Sequence, residues 1–202
     1  MATTPKTPSM HDVFERNKYD LKSSLKKSKS WYTQQVLLLS KQRITPQKLM
    51  RENTEDLRAR IIPGNLYMFV YDPKLKATLP YYDTFPLVFP YATVPGGGGF
   101  MGLNMHYLPY PLRISLLDRL LVFKNNDKMD GTTRIKYSWS LIAGVSKYKM
   151  AEPCIKHYLL PHVKTAFKKV DVNDWATAMM LPVERFVKAP KEQVWKDSQA
   201  NL

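Results

Sequence analysis

Cations interleaved with aromatics are the residues of this chain best suited to chemistry. Arg134, Lys136, Lys147, Lys149, Lys156, Lys164, Lys168 and Lys169 lie among Tyr137, Trp139, Tyr148, Tyr158 and Phe167. Lysine and arginine neutralise phosphates, and aromatic faces stack on exposed bases. A second cationic run lies nearer the start. From Arg16 to Arg51 there are ten Lys or Arg against one acid, Asp20. Lys22, Lys26, Lys27 and Lys29 are its densest part, with Lys41 and Arg43 beyond. These two groups of cations are the candidate DNA-binding residues. Taken singly, Trp139, Tyr158 and Trp175 read as core anchors for small helices. The lysines cannot all be buried, and they carry the binding expectation.

Residues for bond-making chemistry are sparse. The four histidines are His11, His106, His157 and His162. His157 and His162 are five apart, which misses the i, i+4 geometry of a helical metal pair. His106, beside Tyr107, reads as a structural histidine. Cys154 is the single cysteine, so no internal disulfide and no cysteine-based zinc site is expected. It reads as a small buried hydrophobe. The glycines at 96–99 are followed by Phe100, not by the Lys and Ser/Thr that a phosphate-cradling loop needs. They read as a flexible hairpin loop. Asp127 and Asp130 are close, but lie in the turn KNNDKMDG without the further acids of a calcium loop or a two-metal nuclease. No enzyme, metal or cofactor is expected.

The formal net charge of +14 over 202 residues gives a field that gathers nucleic acid, anionic lipid or acidic protein. The charge is unevenly placed, which favours nucleic acid. No window approaches the roughly 18 apolar residues of a membrane span, and the start lacks an apolar signal core. No membrane partner is expected.

These residues need elements to hold them. Residues 61–110 carry only four charges, Asp72, Lys74, Lys76 and Asp83, and are rich in aromatics, Pro and Gly. LYMFVYD (66–72), TLPYYDTFPLVFPY (78–91) and GFMGLNMHYLP (99–109) read as short strands joined by turns, and TTRIKY (132–137) as a closing strand. The prolines of 78–91 suit edges and bends. Helices are expected at 31–42, after Thr45 as N-cap with Pro46 in the first turn, and at 112–124. The last has leucines at 112, 116, 117, 120 and 121, a helical spacing with one apolar face. Further helices are expected from Ser138 through 142–148, near 154–168, at 173–180 and at 190–199.

The fold class read from this pattern is α+β: a small SH3-like antiparallel β-barrel flanked by N- and C-terminal helices. Three parts follow: a basic arm with helices at 1–60, the barrel with an appended helix at 61–137, and a basic helical part at 138–202. The core should draw on Leu66, Met68, Val70, Phe85, Leu87, Phe89, Leu103, Leu116, Leu117, Leu120 and Leu121.

The strings LPYYDTFPLVFP and GFMGLNMHYLPYPLRISLLDRLL resemble the DNA end protectors, or head-completion proteins, of T4-like myoviruses. MAEPCIKHYLLPHV and DWATAMMLPVERFVKAPKEQVWKDS fit the same resemblance, which covers roughly residues 60–198. It implies a bacteriophage virion protein that sits on double-stranded DNA ends near the head–tail connector or tail proteins. It would protect those ends from host exonuclease, with host cytoplasm its place during assembly and infection. The resemblance brings no catalytic residues. The alternative is a structural tail or baseplate protein whose basic surface meets acidic neighbours.

Overall fold

The computed structural model describes residues 29–41, 44–51, 54–121, 140, 142–144 and 149–200. Its frame is a six-stranded antiparallel sheet. In chain order the strands are β1 (Leu57–Arg58), β2 (Leu66–Met68), β3 (Tyr82–Asp83), β4 (Leu87–Thr93), β5 (Gly99–Asn104), β6 (Ile155–Leu159), β7 (Phe167–Val170) and β8 (Phe186–Val187). The sheet order is β1-β7-β2-β4-β5-β6, while β3 and β8 form a separate two-stranded ribbon.

The sheet is open, which corrects the SH3-like barrel. Closure requires the first and last strands to pair. Here β1 and β6 end the sheet at opposite edges. The expected closing strand at 132–137 lies outside the described residues, as does most of the helix expected from Ser138.

The C-terminal part supplies the strands that widen the sheet. The helix expected near 154–168 is instead β6 and β7. Pro153 and Pro161 bracket β6, and a proline inside a helix removes a hydrogen bond and clashes with the preceding turn. β6 pairs with β5, and β7 inserts between β1 and β2. One sheet therefore draws strands from all three sequence segments.

Two further strands end early for local reasons. TLPYYDTFPLVFPY is interrupted at Pro86, giving β3 and β4. β4 is central despite Pro90, because the register shifts between Pro90 and Ala92 and the proline sits at the irregularity. After β5, Asn104 accepts from the His106 amide with its side chain at 3.0 Å, and Met105–Tyr107 coils into a 3-10 turn instead of extending the strand.

The helices follow the sequence more closely. α1 spans Lys29–Lys41 and α2 spans Pro46–Arg51. Thr45 Oγ1 accepts from the Lys48 amide at 3.2 Å, as expected of its cap. α3 spans Tyr110–Leu121, α4 Trp175–Met180 and α5 Lys191–Ala200.

Alternation assigns the two sheet faces. Leu66, Met68, Leu87, Phe89, Leu103 and Val170 pack on the helical side with Leu39, Leu49, Ile114, Leu117, Met179 and Val194. Val70 packs against this core partly buried, and Phe85 and Leu116 also join it. The side chains of Leu120 and Leu121 lie outside the described residues. Each fully buried Leu or Phe contributes about 1.5–3 kcal/mol. The other face carries Tyr67, Phe69, Tyr71, Val88, Phe100, Tyr158 and Phe167. Phe69 is its hub, edge-on to Tyr158 at 5.2 Å and to Phe167 at 5.1 Å.

Candidate nucleic-acid interface

The candidate cations among the described residues differ in their surroundings. Lys41 ends α1 and is exposed, and Lys164 is exposed in the link from β6 to β7. Lys29 opens α1, and Lys149 opens the 3-10 turn Lys149–Cys154. Lys169 is half-buried on β7. Lys168, its neighbour, is fully buried with its amine 3.7 Å from Asp56 Oδ2. Alternation turns Lys168 toward the side of Val170, so its amine lies within the packing of β7 beside Asp56. Lys22, Lys26, Lys27, Arg43, Arg134, Lys136 and Lys147 lie outside the described residues.

Lys156 is placed differently from all of these. It projects from β6 into a cleft of about 420 Å³. Its amine lies 4.1 Å from the centroid of the Tyr107 ring. The cleft is walled by Tyr71, Tyr81, Tyr82, Tyr107 and Tyr158, with Lys74 and His157 also lining it. Burial pulls Lys156 below the usual lysine range, opposed only by the nearby Cys154. Among the described residues no carboxylate pairs with its amine. Sequence reasoning found Lys156 and Tyr158 but missed the cleft. Tyr81, Tyr82 and Tyr107 were available as aromatics, yet they line one cleft with Lys156 only in the folded chain: Tyr107 follows β5, which pairs with β6, and Tyr82 sits on the separate β3–β8 ribbon.

One wall of the cleft is a loop, residues 73–80, tied down by Lys188. That residue has φ of 74° and its ammonium donates to the Ala77 and Leu79 carbonyls at 2.9 and 2.8 Å. Lys76 also pairs with Asp72 at 2.9 Å along the loop.

Beneath the cleft lies a buried polar network. His106 Nδ1 is 2.7 Å from Asp83 Oδ2, and Asn104 Nδ2 donates to the same oxygen at 3.2 Å. Asp83 Oδ1 accepts from the amides of Phe85 and Arg185 at 3.0 and 3.2 Å. Burial alone would raise the Asp83 carboxyl; the attraction and hydrogen bond of His106, with the Phe85 and Asn104 donors, bring it below its ordinary value. This makes His106 a structural partner, as expected, although its Nε2 has no hydrogen-bond partner.

Arg113 extends the network. It is fully buried on α3 and donates to the carbonyls of Leu108, Met179 and His106 at 2.6, 3.2 and 3.1 Å. Glu184 Oε1 accepts from Tyr110 at 2.9 Å and lies 3.0 Å from Lys191. Burial would raise Glu184 too, but Arg113, His106 and Lys191 hold it down at about 2. These bonds join α3, α4 and α5 to the ribbon of β3 and β8. Cys154 is buried as expected, and burial pushes its thiol up to about 12. Among the described residues no cluster of three His, Cys, Asp or Glu side chains comes together to hold a metal ion. No described helix is long and apolar enough to cross a membrane.

Fold and surface define a basic mixed α and β protein, built on an open antiparallel sheet with an aromatic, cation-lined cleft at one edge. The chain belongs to the family of the Phage T4 terminal DNA protecting protein, whose family model matches residues 14–198. That agrees with the resemblance carried by the LPYYDTFPLVFP and GFMGLNMHYLPY strings. No curated protein and no solved structure matches the chain.

Proposed function

We propose that this protein is a non-enzymatic virion component that binds the ends of packaged double-stranded DNA near the head–tail junction and shields them from host exonuclease. The family match over residues 14–198 carries the reading, because the family is named for protecting terminal DNA. The net charge of +14 supports it, since each phosphate neutralised releases about one counterion and adds affinity. DNA would be held by two basic surfaces. One is the arm with Lys22, Lys26, Lys27, Lys29, Lys41 and Arg43. The other comprises Arg134, Lys136, Lys147, Lys149, Lys156, Lys164 and Lys169.

The test is competition between linear and circular DNA of equal length at two salt concentrations, with exonuclease and endonuclease challenge of the bound linear form. Linear DNA should compete better, binding should weaken steeply with salt, and exonuclease should be blocked more than endonuclease. Equal competition by circular DNA would remove the end-binding reading.

Leu37 and Leu38 are 55% and 50% exposed on α1, within the basic arm. This favours a second reading for the arm alone, in which it contacts an acidic connector or tail protein. A combined change of Lys26, Lys27 and Lys29 to Ala that leaves DNA affinity and its salt dependence untouched would select that reading.

A further inference from the structure

We propose that the cleft between β6 and the 73–80 loop receives the terminal nucleotide of a DNA end, its phosphate against Lys156 and its base against Tyr82. This rests on the end-binding reading above and specifies how an end is told from the middle of a duplex. The cleft, at about 420 Å³, is within the roughly 300–1,000 Å³ range of small-ligand sites and too small for a duplex. Only a nucleotide that has left its stack can enter. Unstacking costs least where pairing is already weakest, and a duplex end has stacking on one side only.

The lining chemistry fits a nucleotide. The Lys156 ammonium is held against the Tyr107 ring, among groups that remove it from water, and no described carboxylate neutralises it. An anion is the missing counter-charge. The one carboxylate in the lining, Asp83, is already engaged by His106, Asn104 and two backbone amides. It therefore leaves Lys156 free for a phosphate. Tyr82 is half-buried in the lining and has no ring partner among the described residues, whereas Tyr81 lies 6.0 Å from Tyr107. The unstacked ring is the one open to a base. Lys74 and His157, both exposed in the lining, add positive or hydrogen-bonding groups beside the phosphate path.

The experiment compares three blunt linear duplexes binding to the full chain: unmodified, abasic at the terminal position of both strands, and abasic at the centre. Base–aromatic stacking of about 1–3 kcal/mol corresponds to roughly fivefold to more than a hundredfold in affinity, so the terminally abasic duplex should bind at least about fivefold more weakly. The centrally abasic duplex should bind like the unmodified one. Lys156→Met and Tyr82→Ala, checked for an unchanged melting curve, should erase the difference between terminal and central lesions. Equal binding of all three duplexes by the unaltered protein overturns the proposal, and this arm does not depend on any variant folding. A folded variant that retains the difference also overturns it. If linear DNA still outcompetes circular DNA while the terminal lesion has no effect, the cleft assignment falls and end binding stands. If linear DNA has no advantage, both fall.

Discussion

Asp83 Oδ2 lies 2.7 Å from His106 Nδ1, with both side chains sealed from solvent. The pair joins the β3–β8 ribbon to the turn that follows β5. Removing one member of a buried pair strands the other, at a cost of about 3–5 kcal/mol. Asp83→Ala should lose stability on that scale in denaturant unfolding. A loss below about 0.5 kcal/mol would show that the network does not hold the ribbon.

Acid should unfold the protein through the same network. Glu184 and Asp83 both have carboxyls below their ordinary values in the folded state. A lowered folded value means the stabilisation is complete above the unfolded value and is lost as pH falls. For Glu184 the window runs from 4.5 down to about 2. Melting temperature should fall through that window, and Glu184→Gln should flatten part of the fall. A Glu184→Gln curve parallel to that of the unaltered protein would contradict the assignment.

Lys168 and Lys169 are neighbours with opposite expected roles. Lys168→Ala should lower the melting temperature, because it opens a buried site beside Asp56. Lys169→Ala should leave melting nearly unchanged and reduce the slope of log affinity against log salt by about one. Filter binding across a salt series, beside thermal melts, separates the two. The expectation fails if Lys168→Ala changes the salt slope and not the stability.

The loop before β5 gives another neighbouring contrast. Gly96 and Gly97 have φ of 84° and 73° and make the turn. Gly99 already belongs to β5, and a side chain there would run into the Tyr158 carbonyl on β6. Gly98 has open space around it. Gly99→Ala should cost about 1–3 kcal/mol, while Gly98→Ala stays within about 0.5 kcal/mol. Equal effects in urea unfolding would disprove the close approach.

Leu117→Ala, in the core under α3, should cost roughly 2–5 kcal/mol. A much smaller loss would show that α3 is not packed on the sheet as described.

What the sequence made legible was local. Leu66 with Met68, and Leu87 with Phe89, share a face because strand side chains alternate, and that alternation is written in the residues; Phe85 reaches the same core from the bend before β4. Thr45 marks a helix start by accepting from the Lys48 amide within one turn, and Pro46 does so by its fixed φ at the first helical position. The barrel failed because β6 and β7 gain their identity from partners far away in the chain, beside β5 and β2. The burial of Lys168 was invisible because lysine is so seldom buried and its partner Asp56 is remote in sequence. The cleft was hidden for the same reason: Tyr82, Tyr107 and Lys156 line one cavity only after both the sheet and the β3–β8 ribbon have formed.

The insertion of β7 between β1 and β2 has a consequence during synthesis. While residues 167–170 are still inside the ribosome, β2 has no neighbour on that side, and its amides and carbonyls there are open to any other strand. Chains halted or cleaved before Phe167 should therefore stick to one another through β2, and a nascent chain depends on its own late segment to close that edge.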